Sequence, residues 1–135
     1  EQATLEVDRV HSAIESRMYG MWSEINGAIV IGAAGYDVDT DVTGQDELHG
    51  IDGWVDMRPE LTDRGRMHVD FKGDWRAADE ANRQHPDSRA LWSQLTRQDY
   101  RETGSFRISP QLARAKAPGM KQELEGLYAW HTRNK

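Results

Sequence analysis

The chain has 135 residues, no cysteine and a formal net charge of -6 at pH 7. That length suits a single domain, residues 1–135, with a core that needs no staples; the missing thiols exclude disulfides and thiolate metal sites. Apolar residues at 37% and charged residues at 30% describe a soluble globular chain, and no apolar run approaches the ~20 residues of a transmembrane helix. The opening EQATLEVDRV is charged and has no leader-like apolar stretch, so a cytoplasmic protein without a membrane partner is expected.

In chain order, residues 4–26 read as a first helix. Leu5, Val10, Ile14, Met18, Met21, Trp22 and Ile25 recur at helical spacing, Thr4 can cap its start, and Gly27 sits where it should stop. The short apolar, partly β-branched run 28–34 then predicts a buried strand closed by Gly35. Residues 37–50 are acidic and turn-prone and predict a loop. Two strands follow, Ile51 to Arg58 and Arg66 to Lys72, and the Pro59–Gly65 connection makes them an antiparallel hairpin. A helix is expected from Trp75 toward Arg83 behind a Gly73 or Asp74 cap, and a second from Pro86 to about Tyr100. Gly104–Ser109 alternates like a short strand. Helices from Pro110 to Lys116 and from Met120 to His131 flank a Pro118-Gly119 break, and Leu124, Leu127, Tyr128 and Trp130 give the last one a docking face. The expected order is helix, three strands, helix, strand and C-terminal helices: a single α/β layer structure with a mixed sheet.

Charge is unevenly placed along this order. Residues 1–63 hold 14 acids and 3 bases, whereas 64–135 hold 14 bases and 9 acids. A carboxylate site that collects cations, beside a basic surface that collects phosphates, would produce such a split.

The hairpin carries the chemistry. Strand alternation puts Asp52, Trp54 and Asp56 on one face of the first strand, and His68, Asp70 and Lys72 on one face of the second. With the turn centred near Thr62, Asp52 lies opposite Lys72, Trp54 opposite Asp70 and Asp56 opposite His68. A slip of two residues sets Asp52 directly against Asp70 on the same face. Either register crowds carboxylates, a lysine and a histidine together. Paired carboxylates can hold Mg²⁺ through oxygen ligands, and a nearby ammonium can stabilise charge developing on a phosphate.

Gly50-Ile51-Asp52-Gly53-Trp54 followed by Val69-Asp70-Phe71-Lys72 resembles the PD-(D/E)XK nuclease superfamily, in which an aspartate on one strand precedes D/E-x-K on the next. Of the four lysines, Lys72 alone has an acid two residues before it. Ile51 stands where that superfamily has its proline. The resemblance covers about residues 5–109 in architecture, and it implies the restriction-endonuclease-like α-β-β-β-α-β core. It implies a metal-dependent endonuclease or resolvase-like enzyme that hydrolyses DNA phosphodiester bonds with Mg²⁺, or Mn²⁺ in its place. Asp52, Asp70 and the Phe71 carbonyl would hold the metal, with Lys72 serving the attacking water and Glu24 or Glu15 added from the first helix. A domain this small would often dimerise to cut both strands.

Other residues carry weaker readings. Asp37, Asp39 and Asp41 occupy the first ligand positions of a calcium loop, but Val42 replaces its glycine and Leu48 its bidentate glutamate. A looser Ca²⁺ site over 37–47 would make the chain a calcium-stabilised binding module; the same acidic segment could instead form a flexible lid beside the hairpin. His49 and His68 flank the hairpin and could bind metal or move a proton; His11, His85 and His131 lack such company. No G-x-S-x-G elbow and no phosphate-binding glycine loop is present. Among the later bases, Arg76 and Arg83 follow Lys72 most closely and are the expected DNA contacts, with Trp75, Trp92 and Tyr100 interleaved. A non-enzymatic interaction protein on the same fold is the alternative from another class.

Overall fold

The computed structural model describes residues 2–41, 52–85 and 89–133. Helix α1 spans Gln2–Ala33, β1 Asp37–Asp41, β2 Asp52–Asp56, β3 Arg66–Lys72, α2 Trp75–Gln84, β4 Ala90–Trp92, α3 Arg97–Thr103 and α4 Pro110–Arg133. The four strands form one mixed sheet in the order β1-β2-β3-β4, antiparallel except for the parallel β3–β4 pair. The fold is therefore α/β with a mixed four-stranded sheet and helices, as expected. The expected element assignment does not stand in full: the hairpin strands and α2 fall where predicted, but the two outer strands come from segments other than 28–34 and 104–109. Among the described residues no helix is long and apolar enough to cross a membrane.

The first correction is the helix that does not stop at Gly27. Residues 28–33 continue α1 instead of making a strand, because Val30 and Ile31 bury fully from a helical backbone. Gly27 is a packing residue: a Cβ there would meet the Phe71 ring at 3.0 Å and the Ser93 Cβ at 3.1 Å. The helix ends at Gly35, whose positive φ of 96° lets its N–H bond back to the Gly32 carbonyl at 3.0 Å. Moreover, most of the predicted apolar stripe does not dock. Leu5, Val10, Ile14, Met18 and Met21 stay exposed, while Tyr19, Trp22, Ser23, Asn26 and Val30 face the body.

The second correction is β1, placed where a loop was expected. Asp-Val-Asp-Thr-Asp has the period-2 alternation of a strand, with Val38 packed on the core and Asp37 and Asp39 exposed. Composition masked the alternation, since aspartate is poor in strands. Residues 42–50 of that expected loop, with His49 and the calcium-loop positions Val42 and Leu48, lie outside the described residues, as does Ile51.

The third concerns residues 86–100. The expected helix restart at Pro86 lies outside the described residues, and Ala90–Trp92 is strand β4. Side chains close its outer edge. Asn82 receives the Ala90 N–H at 2.7 Å and donates to the Ala90 carbonyl at 2.8 Å, and Glu123 accepts the Trp92 N–H at 3.1 Å. Only then does a short α3 begin, with a Thr96–Asp99 capping box.

Gly104–Ser109 is not a strand either, because α1 side chains take its backbone partners. Asn26 donates to the Phe106 carbonyl and accepts from the Ile108 N–H, both at 3.0 Å, and Trp22 Nε1 donates to the Ser105 carbonyl at 3.0 Å. Finally, Pro118-Gly119 does not divide the last helix. Ala113, Met120, Leu124 and Tyr128 bury on one continuous face, and that packing outweighs the roughly 3 kcal/mol a helix-interior proline costs. The C-terminal docking face is as expected, with Leu127 packed beside the buried Leu124 and Tyr128, and Arg89 lying 4.2 Å over the Trp130 ring. Helix α2 also matches: the Asp74 side chain accepts from the Arg76 N–H at 2.9 Å.

Candidate metal centre on the hairpin

The sheet has a dry face and a wet one. Val55, Met57, Met67, Val69 and Phe71 point into the core with Trp22, Val30 and Ile31 of α1 and Met120 and Leu124 of α4. The opposite face carries Asp52, Trp54 and Asp56 from β2 and Arg66, His68, Asp70 and Lys72 from β3, all half-buried or exposed. Apolar residues at every second position force this arrangement, since a one-residue slip would expose the whole core set.

Register then selects the neighbours. Asp52 lies opposite Asp70, Trp54 opposite His68 and Asp56 opposite Arg66. This is the two-residue slip; the register centred near Thr62 is not adopted. The connection explains the difference. Pro59–Gly65 is wound as 3-10 helix, and Met57 closes it by donating its N–H to the Gly65 carbonyl at 2.8 Å. The hairpin is thereby centred one residue earlier than its turn composition implied.

The backbone brings the two aspartates closer still. Asp70 donates its N–H to the Arg89 carbonyl at 2.9 Å, and the Lys72 carbonyl accepts from Ser93 at 3.0 Å. Both residues thus turn their backbone groups toward β4. Asp52–Asp70 is consequently a non-hydrogen-bonded pair, the kind in which side chains approach most closely. By the same alternation, the Phe71 carbonyl is directed to the β2 side while its ring is buried in the core.

His68 completes the cluster. One ligand atom each from Asp52, His68 and Asp70 falls within 4.8 Å of the others, and His68 Nε2 is 3.3 Å from the Asp52 carboxylate. The Trp54 ring packs 5.0 Å from the imidazole and fixes its outer side, with the Arg66 guanidinium 5.5 Å over the indole. A cavity of about 300 Å³ opens here between Asp39, Thr40, Asp52, Trp54 and His68. Its β1 wall was not expected: Asp39 pairs with Trp54 and Asp41 with Asp52 in register. The period-2 alternation of residues 37–41 was the signal that could have revealed it.

The other candidates are placed as follows. Lys72 is half-buried on the same strand face as Asp70, two residues further along. Asp56 lies beyond Trp54, away from the cluster, with its Oδ1 buried and without a hydrogen-bond partner. Glu24 and Glu15 belong to α1, which packs against the dry face, and neither joins the cluster. Arg76 and Arg83 are exposed on α2, where Arg83 pairs with Asp79 at 2.9 Å. Trp75 is exposed, Trp92 half-buried, and Tyr100 stacks edge-on against Trp22 in the core.

Two carboxylates and one imidazole converging on one point form a chemically coherent donor set for a divalent cation. A cation also relieves the repulsion between facing carboxylates, which otherwise opposes this pairing. No family model, curated protein or solved structure matches this chain.

Proposed function

We propose that the protein is a metal-dependent nuclease that hydrolyses DNA phosphodiester bonds at the Asp52–His68–Asp70 cluster, on a restriction-endonuclease-like core. The observation that carries this reading is the direct cross-strand pairing of Asp52 with Asp70, with Lys72 on the same face. The element order and the parallel β3–β4 pair support the core assignment.

Asp52 and Asp70 would hold the cation, with His68 as a third protein ligand and the Phe71 carbonyl on the same side of β3. Such an ion, when bound, supplies Lewis acidity and charge neutralisation toward a phosphate diester. Carboxylate oxygens suit Mg²⁺, and the imidazole makes Mn²⁺ the better-matched alternative. Lys72 donates toward the phosphate as negative charge develops on it. Arg76 and Arg83, exposed at the start and end of α2, can neutralise neighbouring phosphates. The acidic wet face repels a polyanion, so both binding and cleavage depend on the divalent ion.

The test is cleavage of duplex, branched and single-stranded DNA, and of RNA, with Mg²⁺ or Mn²⁺. Divalent-dependent cutting is expected, lost in Asp70→Ala and Lys72→Ala while circular dichroism stays unchanged. A purified protein that cuts no form of nucleic acid with either ion overturns the reading and favours a non-enzymatic binding protein. For that second reading the specific observation is the exposed acidic face itself, with Asp37 opposite Asp56 and Asp39 sharing a cavity with Asp52. A calcium-stabilised module receives less support, because a strand spreads residues 37, 39 and 41 in a line instead of wrapping them around one ion.

A further inference from the structure

Helix α1 has two faces, and the fold uses one. Tyr19, Trp22, Ser23, Asn26 and Val30 bind it to the body. Another stripe, Val7, Val10, Ile14, Met18 and Met21, recurs at steps of three and four residues, the spacing of a coiled-coil seam, and stops short of Ile25, which packs on the core. Helical geometry directs this stripe away from the docked face. Its members are between 53 and 66% exposed. Residues 4–18 are exposed throughout, and Arg97 reaches Ser16 at 3.3 Å, so residues 4–15, roughly 18 Å of helix, extend beyond the body. An isolated helix of that length is marginal in water unless something covers its apolar side.

We infer that the outward face of α1 pairs with α1 of a second copy of this chain, antiparallel and two-fold symmetric. Self-complementarity carries this choice of occupant. Setting Val10 level with Ile14 of the second copy also brings Val7 within one residue's rise of Met18, and both contacts occur twice by symmetry. The same register brings Glu6 alongside Arg17 of the second copy, again twice, on one flank of the seam. Antiparallel pairing also opposes the two helix dipoles and leaves the two bodies at opposite ends.

The first turns of the second helix then reach an apolar cavity of about 550 Å³. It is lined by Met18, Met21, Trp22 and Phe106, and Phe106 is 71% exposed. The stripe and Phe106 offer on the order of 600 Å² of apolar surface per copy, and the cavity walls bring this toward the roughly 800 Å² per partner of a stable complex. Stripe and cavity thus form one continuous surface that the second copy covers from end to end.

Sedimentation equilibrium of the intact chain tests the pairing. A two-copy mass is expected, and Ile14→Glu should reduce it to one copy while the near-ultraviolet dichroism of the tryptophans is retained. Glu6→Arg should weaken the pair on the order of tenfold, and adding Arg17→Glu should restore it. A wild-type chain that is monomeric, or that associates only with a different protein, overturns the inference. So does a dimer that survives Ile14→Glu, or one that the double charge reversal fails to recover.

Discussion

Single residues decide how the wet face works. His68 carries the outcome that composition left open, because only the adopted register sets its imidazole beside the Asp52 carboxylate. His68→Ala should weaken Mn²⁺ binding about 10-fold to 100-fold while leaving a residual two-carboxylate site; calorimetric titration with Mn²⁺ and Mg²⁺ reads this directly. Equal affinity in wild type and variant would remove His68 from the ligand set. Glu123 shows a buried carboxylate with a structural task. Burial drives its pKa up to about 7, against the lowering effect of the Trp92 N–H and Gln94 side chain that it accepts from. The unfolded chain releases this proton near the ordinary value of 4.5, so the native state is the more protonated between about pH 4.5 and 7. Stability therefore falls as pH rises through that window. Glu123→Gln keeps the acceptor for Trp92, and it should flatten this slope and raise stability at pH 8 by on the order of 2 kcal/mol. Urea unfolding at pH 5 and pH 8 is the measurement.

Elements were legible where periodicity and caps agreed. Helix α2 with its Asp74 cap, β3 with strict alternation, and the docking face of α4 all follow from local pattern. Other elements did not follow, because a distant partner supplied what the local sequence lacked. Asn26 and Trp22 claim the backbone of 105–108, Phe71 explains the glycine in mid-helix, and Asn82 with Glu123 turns three residues into an edge strand. Helix α4 runs through Pro118 because its buried face is continuous on both sides. Pro118 is exposed, and replacing it by alanine restores one helical hydrogen bond. Pro118→Ala should accordingly stabilise the protein by about 1–3 kcal/mol in thermal or denaturant unfolding. An unchanged or lowered midpoint would mean that the proline contributes to the close approach of Gly119 and Gln94.

At the scale of the molecule, ionisation sets opposing slopes. Burial raises the pKa of Asp99, yet Lys116 at 3.0 Å and the Thr96 cap outweigh it and hold the carboxyl below its usual value. Glu125 is held low by Arg58 and Tyr36, against a smaller effect of burial. Both groups stabilise the fold above their unfolded pKa values and lose that contribution as pH falls through the lower native ones. With Glu123 acting in the other direction, these three groups place the stability maximum near about pH 5. A melting series from pH 2 to pH 8 should rise to that point and then decline, and a flat profile above pH 5 would remove Glu123 from this account.

Sequence by itself determined the alternation that gathers Asp52, Asp70 and Lys72 on one strand face, because side-chain direction has a period of two whatever surrounds the strand. It also determined the α/β class, the hairpin strands β2 and β3 and helix α2, since apolar spacing and caps report locally there, whereas it misplaced the two outer strands. Tertiary structure decided which aspartate faces which, that His68 joins them, that 37–41 forms a wall of the site, and which face of α1 docks. Those choices rest on partners far apart in the chain: the 3-10 connection that sets the register, β4 drawing the backbone of Asp70 and Lys72 to one side, and the body surface that accepts Trp22 and Asn26 in place of Ile14 and Met21.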